Sequence, residues 1–91
     1  MLENTAMHEH ARANNEFYGD KTPIVCCEEA GELIQAISKM ERADTEEHRQ
    51  ALVDEIGDVY ICLLMLRHMY KLDLADIDRR IDYKIHLKKD Y

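Results

Sequence analysis

Two short stretches carry acids in a pattern that can do chemistry. Cys26-Cys27-Glu28-Glu29-Ala30-Gly31-Glu32-Leu33-Ile34 holds Glu29 and Glu32, and Val53-Asp54-Glu55-Ile56-Gly57-Asp58-Val59 holds Glu55 and Asp58. Each pair is spaced by three, so on a helix its two carboxylates share a face. At about 100° per residue, Glu32 falls about 60° from Glu29, in the sector that also takes Val25, Leu33, Ala36 and Met40. The same construction sets Asp58 beside Glu55 among Leu52, Val59, Cys62 and Leu66. Both acid pairs therefore sit within stripes expected to face a core.

Residues 29 and 58, and likewise 32 and 55, are symmetric about one point of the chain, between residues 43 and 44. If 22–42 and 45–70 form an antiparallel hairpin turning there, all four carboxylates meet at one level. Four like charges at one level require protonation or a cation. A set of oxygen ligands without His or Cys suits a hard divalent ion, Mg²⁺ or Mn²⁺.

The elements that must position these acids are helical. Thr22 as N-cap, with Pro23 at the first helical position, opens a helix that runs to about Arg42. Asp44 is expected to cap the next helix, with Glu47 three residues on as an acidic variant of the capping box, and this helix continues to about Tyr70. A first helix is expected over 2–17, with Leu2, Ala6, Ala13 and Phe17 as a sparse apolar side and Gly19 as its stop. A fourth opens at Asp73, followed by Asp76, and ends near Lys89. Short turns between such elements predict an all-α four-helix bundle or its dimeric equivalent. Leu63, Leu64, Met65, Leu66 and Met69 put apolar residues on nearly all sides of the third helix, which predicts burial all round, part of it against a second subunit.

Composition sets the outer bounds. A chain of 91 residues with one Pro, three Gly and 46% hydrophobic content reads as one small helical domain over 1–91. Its modest core favours completion by oligomerisation, as a homodimer or homotetramer. The net charge of −7, without a basic run, speaks against nucleic-acid polymers and anionic membranes as partners. Cys26, Cys27 and Cys62 are odd in number and two are adjacent, which predicts reduced thiols in a cytoplasmic protein, serving as small buried packing residues. A basic-then-apolar leader is not found at the N-terminus, and no apolar run approaches the ~18 residues of a span, so a soluble intracellular protein is expected. His8 and His10 lie two apart and face differently on a helix, so they read as solvated surface.

Glu29-x-x-Glu32, 22 residues, then Glu55-x-x-Asp58 resembles the signature of the MazG-like all-α nucleoside triphosphate pyrophosphohydrolases. Glu28-Glu29-Ala30-Gly31-Glu32-Leu33 and Asp54-Glu55-Ile56-Gly57-Asp58-Val59 look like the cores of that family's two motif helices, and the likeness spans about 22–89. A lone ExxE is a weak signal; two acid pairs at matched height are a much stronger one. The resemblance implies a Mg²⁺-dependent enzyme that splits a nucleoside triphosphate into monophosphate and pyrophosphate, as in nucleotide-pool house-cleaning. By the same resemblance Glu29, Glu32, Glu55 and Asp58 hold the metal.

Within this reading Glu29 or the flanking Glu28 takes the proton of the attacking water, and the residues do not choose between them. Glu28 reads equally as a further ligand or as a solvated acid. Lys39, about 10 Å of helical rise beyond Glu32, and Lys84 on the fourth helix are the candidate phosphate contacts. Lys88 shares a face with Lys84, and Arg42, about 15 Å from Glu32, is too distant within its own subunit. Tyr18, Tyr60 and Tyr83 are candidates for stacking on a base, with core or interface packing the better reading for any single one. The approach Phe17-Tyr18-Gly19-Asp20-Lys21-Thr22-Pro23 lacks the Gln that family members often carry there. Phosphoribosyl-ATP pyrophosphohydrolases share the fold and a similar acid motif and stand as one alternative. A non-catalytic metal-binding or partner-binding helical bundle is another. A di-iron carboxylate bundle is disfavoured, because no His follows Glu29 or Glu55 at the Glu-x-x-His spacing.

Overall fold

Helix starts in this chain are set by short polar side chains that take over backbone N–H groups otherwise left without an acceptor. In the computed structural model, which describes residues 4–87, Asn4 Oδ1 accepts from Met7 N at 3.1 Å and opens α1, Thr5–Tyr18. Thr45 Oγ1 accepts from His48 N at 3.1 Å and opens α3, Glu46–Met69. Asp73 Oδ1 accepts from Ala75 N at 2.9 Å and opens α4, Leu74–Ile85, as expected. The cap of α3 is thus Thr45 and not Asp44. Asp44 instead receives Arg49 through two bonds of 2.6 and 2.7 Å, an exposed bidentate pair that lowers its proton affinity.

The passage from α1 to α2, Thr22–Arg42, also differs from expectation. Gly19 does stop α1, at φ 57° and ψ −130°, a conformation L side chains rarely adopt. The next residues form a 3₁₀ turn, Gly19–Lys21, that runs straight into α2 through a helical Lys21, so no extended residue is present to act as N-cap. Thr22 is the first residue of α2, fully buried, and its Oγ1 donates to Asn15 Oδ1 at 2.8 Å. Its hydroxyl ties α2 to α1. At the other end of α3, Lys71 takes φ 54° while Lys71 N bonds to His68 O and Leu72 N to Arg67 O, the two bonds of a Schellman motif. That motif turns the chain toward α4.

α2 and α3 lie antiparallel, and Cys26 Sγ donates to Cys62 O at 3.5 Å across the pair. α1 packs on α3, and the core forms where the three meet: Ala11 from α1, Cys26 from α2, and Cys62, Leu64 and Met65 from α3. α4 stands apart from this three-helix unit. It faces it across an apolar groove of about 340 Å³, whose walls include Ile77 and Ile81 of α4 with Met7, Leu63, Leu64 and Leu72. The radius of gyration, 15.3 Å, exceeds the roughly 12 Å expected of a compact domain of this length.

α3 is not buried all round within one chain. Leu64 and Met65 are buried, but Leu63 is 54% exposed, and Val53, Ile56 and Tyr60 are exposed with it. These four recur at helical spacing on one stripe. Of the three cysteines, Cys26 and Cys62 are buried as expected, whereas Cys27 is exposed, because α2 turns it about 100° away from the core-facing Cys26. The fourth helix ends at Ile85, with His86 as its C-cap, short of the expected end near Lys89; Lys88, and Leu2 of the expected first helix, fall outside the described residues.

Met65 is among the largest side chains that are fully buried. Met65→Ala is expected to cost about 2–5 kcal/mol, read as a fall in the urea midpoint; an unchanged midpoint would show that the three-helix core is not where this chain holds itself together.

Candidate active site

The antiparallel register of α2 and α3 brings acids from both helices to one level. Glu29 and Glu32 of α2 and Glu55 of α3 each offer a carboxylate oxygen, and these oxygens all lie within 4.8 Å of one another. Two oxygens on opposite sides of a Mg²⁺, each at about 2.1 Å, stand about 4.2 Å apart, so the group is spaced on the scale of a single small ion. Asp58, expected as the fourth member, lies beside the group. Its charge bears on both Glu29 and Glu55, and it faces an adjoining cleft together with Glu29. A side chain one methylene shorter than Glu reaches less far from α3.

The electrostatics are those of a site short of positive charge. Oε2 of Glu29 and Oε2 of Glu55 are sealed from solvent, and neither has a hydrogen-bond partner among the described residues. Burial pushes the Glu29 carboxyl above its ordinary range, and the charges of Glu32, Asp58 and Glu55 push it further. Glu55 is raised in the same way, first by burial and then by Glu32 and Asp58. Buried, unpartnered carboxylate oxygens are costly unless something cationic meets them. The donor set is oxygen alone, which fits a hard divalent ion. The neighbouring thiols do not join it: burial raises Cys26 and pushes Cys62 up to about 12, so both stay protonated and are poor ligands.

The cleft beside the acids has a volume of about 190 Å³. Glu29 and Asp58 form its acidic edge, Val25, Ile61 and Met65 give it an apolar floor, and α1 supplies the far wall through His10, Asn14 and Tyr18. His10 Nε2 and Asn14 Nδ2 pair at 3.2 Å. Sequence reasoning offers Tyr18 as a stacking candidate but reads His10 as solvated surface and passes over Asn14. The available signal was the spacing of residues 10, 14 and 18, which repeats every four positions and so keeps one helix face.

The remaining site candidates fall elsewhere. Glu28 is exposed on α2 and outside the converging group. Lys39 is exposed near the end of α2, beside Gln35, Ser38 and Arg42. Lys84 is exposed on α4. Neither lysine lines the cleft. Of the three tyrosines only Tyr18 does; Tyr60 faces the apolar groove, and the guanidinium of Arg80 lies over the ring of Tyr83 at 5.0 Å.

The described elements are all helical, with acids from two antiparallel helices gathered at one level, an arrangement that could hold a metal ion. The model of the MazG nucleotide pyrophosphohydrolase domain matches residues 21–90, and the chain belongs to this family. Comparisons with curated proteins and with solved structures gave no match. The matched segment starts after α1, so His10, Asn14 and Tyr18 lie outside it. No described helix is long and apolar enough to cross a membrane.

The raised carboxyls make stability depend on pH in a definite sense. Glu29 and Glu55 hold a proton more tightly folded than unfolded. Their contribution is therefore full below the ordinary Glu value of about 4.3 and is lost as pH rises through the raised folded values. Metal-free protein should lose melting temperature through this cluster as pH is raised, and added Mg²⁺ should restore more of it at about pH 8 than at about pH 5. An equal Mg²⁺ increment at both values would contradict a cluster that exchanges protons for metal.

Proposed function

We propose that this protein is a Mg²⁺-dependent nucleoside triphosphate pyrophosphohydrolase, converting nucleoside triphosphate and water to nucleoside monophosphate and pyrophosphate, in nucleotide-pool house-cleaning. One observation carries the reading: Glu29, Glu32 and Glu55 converge, and Glu29 and Glu55 each keep a buried oxygen without a hydrogen-bond partner among the described residues. Membership of the family supplies the reaction class. Glu29, Glu32, Glu55 and Asp58 hold the metal in this proposal, with Mn²⁺ as a substitute. A divalent ion bound there neutralises phosphate charge and favours attack of water on the α-phosphorus with pyrophosphate as leaving group.

Glu29 is the proposed proton acceptor, because it borders the cleft and has a raised proton affinity. Exposed Glu28 is the second candidate. Lys39 and Lys84 are proposed as contacts for the far phosphates, reached from a neighbouring subunit. The exposed Val53, Ile56, Tyr60 and Leu63 on α3, with Ile34 and Ile37 on α2, supply the apolar surface for a homodimer or homotetramer, in which a second chain completes the four-helix layer. The free thiols fit a cytoplasmic setting.

A nucleotide panel with Mg²⁺ and separated products tests the activity: pyrophosphate and a monophosphate should appear from at least one nucleoside triphosphate, and orthophosphate release alone contradicts the reading. Glu55→Gln gives a crossed signature. It should raise the melting temperature of metal-free protein, because one repelling charge is gone, while lowering activity about a hundredfold or more. Loss of activity with loss of fold would instead mark Glu55 as a packing residue. For the assembly, Ile56→Asp with Leu63→Asp should shift the sedimenting species to monomer; an unchanged species means that this stripe is not the interface.

A further inference from the structure

α1 walls the cleft beside the acids, yet it is shallowly docked. Among the described residues Ala11 is its one buried member, with Met7 packed partly against the core. Two polar contacts flank Ala11. Toward the C-terminal end of α1, Asn15 Oδ1 accepts the Thr22 hydroxyl at 2.8 Å and ties the helix to α2. Toward the N-terminal end, the ring of His8 meets that of His68 of α3 edge-on, with centroids 6.1 Å apart and planes at 86°. We propose that this histidine contact is a proton-sensitive latch: a proton added to His68 frees the N-terminal half of α1 from α3, and α1 swings about the Asn15–Thr22 bond. The latch stands whether or not the acids serve a hydrolase.

His68 is half-buried in the last turn of α3, and its Nε2 is sealed from solvent with no hydrogen-bond partner among the described residues. In a neutral imidazole one ring nitrogen is an acceptor; in the imidazolium both are donors, whichever tautomer preceded it. Protonation therefore leaves Nε2 a charged donor in a space that offers it no acceptor, which is the expensive way to bury a polar group. The groups around the ring add to this. A cavity of about 280 Å³ beside it is lined by Thr5, His8, Glu9 and Arg12 of α1. Arg12 brings a positive charge, and Arg67 precedes His68 on α3. Glu9 is the one acid in that lining; it is exposed, and Arg12, three residues on, shares its helix face and offsets it. Burial first, then Arg67, His8 and Arg12, hold the His68 ring below its ordinary proton affinity, with the backbone of His8 pulling the other way.

The sign follows from linkage. A His whose proton affinity is lowered in the closed form supports that form fully above its ordinary value of about 6.5, and the support is lost as pH falls toward the lowered value. For one proton, the open population rises by at most about tenfold per pH unit across that interval. The acid cluster runs the other way, because Glu29 and Glu55 lose their contribution as pH rises. A helix with few buried contacts is the kind of element that opens locally while the rest of the fold holds. Opening carries His10 and Asn14 away from Glu29 and Asp58 on the facing helices, so the cleft beside the acids widens in mild acid. Because α1 precedes the matched segment, the latch is a property of the chain's own first helix and not of the shared acid motif.

Amide hydrogen exchange on the intact protein between about pH 8 and about pH 5, corrected for the intrinsic rate, tests the latch. As pH falls below about 6.5, exchange at residues 8–13 of α1 should accelerate relative to residues 59–65 of α3, by up to about tenfold per unit. His68→Phe, which keeps a planar ring and cannot take a proton, should abolish the acceleration. His68→Gln serves the same purpose where the larger ring disturbs packing. Arg12→Gln, with one repelling charge removed, should shrink it. Exchange in α1 that keeps a constant ratio to α3 over the whole range in the unaltered protein overturns the latch, and so does an acceleration that survives in both His68 variants. A His68 ring signal that titrates at or above about 6.5 in the native protein overturns it as well.

Discussion

Mutual repulsion among carboxylates held at one level is the constraint on which this molecule turns. Glu29, Glu32 and Glu55 are brought together by two helices whose other buried positions are apolar except Thr22, and Asp58 adds its charge from beside them. Nothing in the described chain neutralises them. Hydrophobic packing of α2 on α3 therefore has to overcome this repulsion, and the core available to do so is small: Met65 and Leu64 are its main large members. A protein built this way gains stability from whatever cation enters the site, which couples folding to binding.

The same packing explains why the thiols at this level are quiet. Cys26 and Cys62 face each other across the helix pair one turn from Glu29 and Asp58, and they fill the space that lets the acids meet. Burial and the nearby negative charges keep them protonated. Thiolates in their place would compete for a soft metal and add to the repulsion. Oxygen-only chemistry thus depends on sulfur that packs without ionising.

The register of the acids was legible in the chain because helical spacing and distance from the turn are both simple counts. Residues 29 and 58, and 32 and 55, had to meet if 22–42 and 45–70 paired antiparallel, and the helices observed are Thr22–Arg42 and Glu46–Met69. Local chemistry was read less well. Asp44 and Thr45 are both good caps, and the choice fell to Thr45 because Arg49 claims Asp44. Thr22 looked like a cap because it precedes Pro23, but the 3₁₀ turn delivers it already helical and its hydroxyl goes to Asn15. α1 was the least legible element. Its apolar side is sparse, and although Tyr18 stood out as a stacking candidate, periodicity drew attention away from His10 and Asn14 on the same face, which borders the acids. The stand-off of α4 is likewise invisible to pattern reading, since an amphipathic helix is equally consistent with its own core or with a second chain.

The central claim is that the acids gather to hold one kind of ion in one place. Crystals grown with Mn²⁺ and measured at the manganese absorption edge address it directly. The account predicts an anomalous peak bounded by the carboxylates of Glu29, Glu32 and Glu55. Well-ordered crystals with no peak there, or with manganese bound only at other carboxylates, would contradict it.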